Sequence, residues 1–208
     1  MTSHTFQGGF TSLESIQIID HLFGILEEYG EGDYIGESIS QIEHCLQAAY
    51  CAKQADGQAY TEIIESPGSN DATVLAALLH DCETGTNMLL PSGESVGKHG
   101  HDIIGGLYLA SLGFSPEVWE LVRDHVVAKR YLTAVEEGYH HTLSEASKLS
   151  LTFQGGPFSH SEIKNFEQDP LFFEKVQMRR FDDAAKIVGA RVPPIASYKD
   201  LAMGLLKK

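Results

Sequence analysis

The sequence predicts an all-α protein, a single helical bundle spanning residues 1–208. Three observations carry the prediction. Apolar residues recur every three or four positions through segment after segment, the spacing that lines one face of a helix. Glycine, proline and small polar residues fall between those segments rather than inside them. Runs that alternate apolar and polar with period two, the mark of strands, are scarce.

Thr11 or Ser12 can cap a first helix, in which Leu13, Ile16, Ile19, Leu22, Phe23 and Leu26 form one face. Gly30 and Gly32 stop it. A second helix is expected from about Gly36 to Ala55, with Ile39, Ile42, Leu46, Ala49 and Tyr50 on one side. SerProGlySerAsn at 66–70 reads as a loop. Asp71 can then cap a short, very apolar helix that ends in His80-Asp81, so the pair is delivered to the interior. Residues 84–97, rich in Gly, Ser, Thr, Asn and Pro, read as an irregular loop, a candidate lid. A helix resumes near His99–His101 and runs to Ser111, and Gly113 ends it. Ser115 as cap and Pro116 at the first helical position open the next, which carries Val118, Leu121, Val122 and His125. Two more helices are expected around 142–153 and 169–188, with GlnGlyGlyPro at 154–157 between them. The stretch from Val192 to Tyr198, with two prolines, reads as extended.

Composition narrows the function classes. A net charge of −14 argues against nucleic acid as partner, which needs a basic surface. It leaves room for a small anionic substrate, because a cationic pocket can sit inside an acidic protein. Cys45, Cys51 and Cys82 are an odd set without a CxxC, which predicts no disulfide framework and a cytoplasmic protein. The first residues lack the basic and apolar regions of a signal peptide. No apolar run approaches the ~18 residues of a membrane span, so no membrane partner is expected.

The chemistry-bearing residues are His44, His80-Asp81, His101, His125 and Asp182, each at or near the end of a helical segment or on its apolar side. A lone His-Asp dipeptide says little, and this chain has a second at His101-Asp102. The joint pattern says more. A carboxylate at the end of an apolar helix, a histidine beside Leu121 and Val122, and an aspartate among Met178, Phe181 and Ala185 are each costly without a partner. One metal cluster answers all three. Asp81 can bridge two cations through its two oxygens. Nitrogen and oxygen donors without thiolate suit iron, manganese, zinc or magnesium. His101 is preferred over His99 because it continues the stripe of Ile104, Tyr108 and Leu109.

Cations stand beside these positions. Lys129 follows His125 by one helical turn, and Arg179 precedes Asp182 by three residues, so both are candidates for clamping a phosphate or phosphonate. Arg180 reads as an ordinary surface ion pair. GlnGlyGlyPro, with Gln154 as a candidate substrate contact, offers backbone that a ligand can approach closely. Ser147 can donate a hydrogen bond. Tyr34 and Glu37 lie where a loop meets the second helix, free to reach a metal or a bound cation.

Six segments together resemble one branch of the HD-domain superfamily, the mixed-valence diiron oxygenases that cleave organophosphonates. They are 33–44, LeuLeuHisAsp at 78–81, HisValValAlaLysArgTyrLeu at 125–132, LeuSerGluAlaSer at 143–147, GlnGlyGlyPro at 154–157 and ArgArgPheAspAspAlaAla at 179–185. The resemblance covers about residues 30–200, with 1–29 as an N-terminal helix of the same single HD domain. It implies two iron ions, Fe(II) and Fe(III), with O2 as cosubstrate. One iron would be held by His44, His80, Asp81 and Asp182, the other by His101, His125 and the bridging Asp81. Tyr34 and Glu37 would be the catalytic pair, with Tyr34 on iron until substrate displaces it and Glu37 toward the substrate amine. Lys129, Ser147 and Arg179 would hold the phosphonate.

Members acting on 2-amino-1-hydroxyethylphosphonate continue the pair as HisAspIleGlyHis. Here the run is His80-Asp81-Cys82-Glu83-Thr84, with Thr84 in the last histidine's place. That departure favours the N-trimethylated relative, cleaved to glycine betaine and phosphate, over the primary amine, cleaved to glycine. Other classes compatible with the same metal ligands are a metal-dependent HD phosphohydrolase and a non-catalytic helical binding module. A myo-inositol oxygenase-like enzyme fits less well, since it would leave the anion clamp idle.

Overall fold

Three helices begin with the same local device. Thr11, Ser40 and Ser159 each accept a bond from the backbone N–H three residues on, and their own backbone N–H groups donate to the carboxylates of Glu14, Glu43 and Glu162. This reciprocal box satisfies two of the free N–H groups at a helix start and fixes where the helix begins. In this computed structural model, residues 11–32, 34, 37–55, 70–82, 87–89 and 95–206 are described. Their helices are α1 (Ser12–Tyr29), α2 (Gln41–Gln54), α3 (Asp71–Leu79), α4 (His101–Ser111), α5 (Pro116–Val135), α6 (Tyr139–Thr142), α7 (Glu145–Phe153), α8 (His160–Phe166), α9 (Phe172–Ala184) and α10 (Lys199–Leu205). A 3-10 turn at Ile195–Tyr198 precedes α10. Among the described residues the fold is all-α apart from one antiparallel ribbon, β1 (Asn87–Leu89) with β2 (Ser95–Lys98), in which Asn87 faces Lys98 and Leu89 faces Ser95.

Several boundaries differ from the sequence expectation. The Ser40–Glu43 box starts α2 at Gln41 rather than near Gly36, so Glu37 stands outside the helix. Asn70, not Asp71, caps α3, its side chain accepting from Thr73 N, and Asp71 becomes the first helical residue. The segment 84–97 is not wholly irregular, since it contains β1 and the start of β2. The expected helix at 169–188 is α9 alone, ending at Ala184. The short α6, α8 and α10 have too few turns to show a periodic stripe.

α3 is the spine of the core. Every residue from Ala72 to Leu79 is buried, which is why its sequence is apolar all round. α1, α2, the first half of α5, α9 and α10 pack about it through Leu22, Ala48, Leu75, Leu121, Met178 and Ala202. A second cluster, Tyr131, Leu132, Tyr139, Phe166 and Val176, joins the far half of α5 to α6, α8 and α9.

The pairing of α4 with α5 positions two of the histidines. α4 buries Asp102, Gly105, Gly106 and Leu109, while Ile104 is exposed, so the stripe expected to continue from His101 through Ile104 is rotated. The cause is Gly106. A Cβ there would lie 2.6 Å from Arg123 Cβ and 2.8 Å from Trp119 O, so only glycine allows the two helices this close. Ser115 N bonds to Leu205 O at 3.1 Å and Phe114 bridges Leu206, tying the turn between α4 and α5 to the end of α10. No described helix is long and apolar enough to cross a membrane.

Candidate metal centre

α2, α3, α4, α5 and α9 each send a side chain to one place. His44 comes from the first turn of α2, His80 and Asp81 from the end of α3, His101 from the first residue of α4, His125 from mid-α5 and Asp182 from the last turn of α9. Two groups form, His44–His80–Asp81 and Asp81–His101–His125, with ligand atoms within 4.8 Å of one another in each and Asp81 common to both. The groups hold five of the six residues singled out from the sequence, and Asp182 joins them through Oδ1, 3.3 Å from His44 Nε2. His99 and the described histidines His21, His140, His141 and His160 are exposed and outside the group.

The hydrogen bonds around the rings set their orientation. His44 Nδ1 lies 2.8 Å from Ala185 O, His80 Nδ1 2.8 Å from Ala77 O and His125 Nδ1 2.7 Å from Val122 O. A carbonyl accepts only, so each Nδ1 carries the proton and each Nε2 presents a lone pair inward. His44 Nε2 and His80 Nε2 are 3.0 Å apart, and His101 Nε2 and His125 Nε2 are 2.9 Å apart. In the first pair two lone pairs face each other, an arrangement that only a cation or an added proton makes favourable. A metal bound by imidazole whose other nitrogen donates to a carbonyl is the usual outcome of such keying.

The carboxylates fit the same reading. Asp81 Oδ2 is 3.4 Å from His80 Nε2, and Asp81 Oδ1 is 3.5 Å from His101 Nε2, so its two oxygens face different histidines. Asp182 Oδ2 accepts from Arg179 Nη1 at 2.5 Å. Asp182 Oδ1 has no hydrogen-bond partner among the described residues and stands 3.3 Å from His44 Nε2. Burial alone would raise both carboxyls. The imidazoles outweigh it at Asp81 and hold it at about 2, and Arg179 with His44 and His80 holds Asp182 well below the carboxylate range. Burial, with His101 beside it, pushes His125 down to about 3, and burial also lowers His80. Neutral imidazoles facing ionised carboxylates are the protonation states a divalent or trivalent cation requires. The donor set, nitrogen and oxygen with no thiolate, fits iron, manganese or zinc.

The candidate substrate residues divide into two kinds. Arg179 is fully engaged: Nη1 donates to Asp182, Nη2 to Asp183 and at 3.4 Å to Ser147 Oγ, and Nε at 3.2 Å to Tyr139 OH. Lys129 is buried, and among the described residues its hydrogen-bond partners are neutral oxygens, Ser150 Oγ at 2.9 Å and Gln154 Oε1 at 3.0 Å. Burial, then Arg179, pulls its ammonium down to about 7. Asp182 and Asp183 act on it through space, but among the described residues no carboxylate is bonded to it directly. The two glycines of GlnGlyGlyPro have positive φ, but the close approach they permit is made by Arg130, whose Nε donates to Gly156 O at 2.8 Å. Arg180 pairs with Glu136 on the surface.

Tyr34 stacks on His44, with ring centroids 4.0 Å apart and planes 13° from parallel. Burial, with Asp182 and Asp81 nearby, pushes its phenol well up. Glu37 Oε1 lies 3.2 Å from Lys186 Nζ. Thr84 falls outside the described residues. Sequence reasoning passed over Ser150, Tyr139, Asp183, Lys186 and Gln41, whose Nε2 donates to Asp81 O. The signal was helical spacing for two of them: Asp183 is four residues from Arg179 on α9 and Ser150 three from Ser147 on α7, while Lys186 lies beyond the end of α9 and carried no such signal.

No protein-family model matches the chain. Three curated proteins do. An uncharacterized protein of Acanthamoeba polyphaga mimivirus is 33% identical over 93% of this chain and 84% of its own length. The hydroxymethylphosphonate dioxygenase of Gimesia maris is 34% identical over 86% of this chain and 84% of its own. The glycine-betaine-forming [1-hydroxy-2-(trimethylamino)ethyl]phosphonate dioxygenase of Leisingera caerulea is 30% identical over 92% and 91%.

Proposed function

From the premise that this chain belongs to the family of phosphonate-cleaving dioxygenases, we propose that it is a dinuclear iron oxygenase of the HD-domain type. Its reaction is the O2-dependent cleavage of the C–P bond of a 1-hydroxyphosphonate. The products are a carboxylate and inorganic phosphate. The observation that carries this reading is the pair of His/Asp groups sharing Asp81, with the buried Lys129 one turn beyond His125 and bonded, among the described residues, to neutral oxygens.

In this reading His44, His80, Asp81 and Asp182 hold one iron, and His101, His125 and Asp81 the other. Bound there, a mixed-valence Fe(II)/Fe(III) pair supplies the O2 activation that no side chain can. The side chains do the rest. Lys129 binds the phosphonate, helped by Ser150 and Gln154, which already point oxygens at its ammonium. Arg179 neutralises Asp182 and Asp183 and turns Asp182 Oδ1 toward His44, with Ser147 and Tyr139 fixing its plane. Tyr34 covers His44 and keeps water from that side. Glu37, three residues from Tyr34, would face a 2-ammonio substituent, as the family resemblance implies. The sequence favours a trimethylammonio group there, giving glycine betaine, with the primary amine giving glycine as the alternative.

The test is turnover by iron-loaded protein with a panel of 1-hydroxyphosphonates, following O2 uptake and phosphate together. We expect one O2 consumed per phosphate released, and no phosphate under argon. Phosphate released without O2 would replace the oxygenase by an HD phosphohydrolase, and failure to bind any transition metal would favour a binding module.

A further inference from the structure

The two named phosphonate relatives differ in one chemical respect. The substrate of one carries a quaternary ammonium, and that of the other carries no cation. A pocket for the first holds the cation on an aromatic face or an uncompensated negative group, while a pocket for the second must not leave such a negative group bare. Glu37 is the carboxylate to interrogate. It lies three residues from Tyr34, whose ring covers the metal-facing His44. It is mostly buried, with 16% of its side chain exposed.

Glu37 is not bare. Lys186, 18% exposed, places Nζ 3.2 Å from Glu37 Oε1 and 3.5 Å from Ser144 Oγ, the cap of α7. Lys186 is fixed from behind. Ala185 gives its carbonyl to His44, and Ile187 N donates to Gln47 Oε1 at 2.9 Å, so the backbone on either side of the lysine is pinned to α2. A chain pinned on both flanks holds its ammonium at Glu37 at little entropic cost. The Glu37–Lys186 contact is an ion pair without hydrogen-bond alignment. Oε1 keeps an open acceptor position among the described residues. Charge is answered and a lone pair is left over, which suits a neutral hydroxyl and not a cation. An ammonium entering here would meet Lys186 as a like charge, and Lys129 is near enough to feel Lys186.

We infer that Lys186 is a specificity-determining residue that occupies, as a tethered cation, the position a substrate ammonium would take at Glu37. The site therefore selects 1-hydroxyphosphonates with no cationic substituent. This rests on the C–P-cleaving reading above and departs from the betaine-forming substrate that the sequence favoured. With hydroxymethylphosphonate the balance is one substrate dianion and one O2 giving formate, hydrogen phosphate and one proton. The C–P bond and one C–H bond break, and carbon loses four electrons to O2.

The experiment compares anaerobic binding of hydroxymethylphosphonate and 2-amino-1-hydroxyethylphosphonate to the iron-loaded protein by calorimetry, so the readout does not need turnover. Wild type is expected to bind the uncharged phosphonate at least about tenfold more tightly. Lys186→Met uncovers Glu37 and should move the ratio of dissociation constants about tenfold or more toward the aminophosphonate. Adding Glu37→Gln to that variant should remove the gain, which a merely reshaped pocket would not do. A wild-type preference for the aminophosphonate, or a ratio unchanged in Lys186→Met, overturns the inference while leaving C–P cleavage intact. Loss of O2 uptake with every phosphonate sinks the parent reading separately.

Discussion

The two halves of the histidine cluster are held by different physics. His44, His80 and Asp182 have side chains at most 3% exposed, keyed to the carbonyls of Ala185 and Ala77 and to the Arg179 guanidinium. His101 is 17% exposed and is the first residue of α4, behind Gly100, which has positive φ and makes no side-chain cap. Its place depends on how near α4 comes to α5. His125 is buried and keyed to Val122 O as the first half is keyed, so the second half differs at His101, whose place follows a helix–helix distance. The difference places the rigid donors in the interior and the adjustable one toward solvent, the side from which small molecules arrive.

The largest expected effect breaks the buried half. Arg179→Met leaves Asp182 and Asp183 unpaired, and removing one partner of a buried ion pair costs ~3–5 kcal/mol. Urea unfolding should show that loss, and a change under about 1 kcal/mol would mean the pairing is not what holds this half. Gly106→Ala attacks the other half. Forcing α4 from α5 costs about 1–3 kcal/mol by overpacking. Metal analysis should fall from two ions per chain toward one, with the His44–His80 side kept. Two ions retained at full affinity would show that helix spacing does not govern His101.

The smallest effect sharpens the comparison through pH. Lys129 lies beyond both halves, and its native value of about 7 is below the ordinary lysine value. Between those two values the unfolded chain holds a proton that the native chain has lost. Stability from this group therefore rises with pH across that window. The burial penalty is fully present below about 7 and gone once both states are neutral. Wild type should gain Tm between pH 7 and pH 9 relative to Lys129→Met. Parallel curves would mean that the ammonium stays charged in the native protein.

Much of this was legible in residue types. Donors that are costly to bury marked the six clustered residues, and the apolar run 72–79 marked α3 as the element delivering His80-Asp81. What was not legible follows from contacts between distant segments. The expected stripe on α4 failed at Ile104 because Gly106, by admitting Arg123 and Trp119, turned the helix. The start of α2 was legible in principle, since SerGlnIleGlu at 40–43 is a capping box. The box puts Glu37 wholly outside α2, and its meeting with Lys186, far along the chain, is what local sequence does not show. Short α6, α8 and α10 are stabilised by packing rather than by their own periodicity.

The bond from His44 Nδ1 to Ala185 O joins residues 141 positions apart. A chain made from its N-terminus has its first three donors, His44, His80 and Asp81, long before that carbonyl or Asp182 exists. During synthesis those early donors are an unoriented set, able to meet metal without the groups that fix its geometry. Correct loading therefore waits on the last quarter of the polypeptide, and a ribosome stalled before α9 would carry a nascent chain with ligands but no centre.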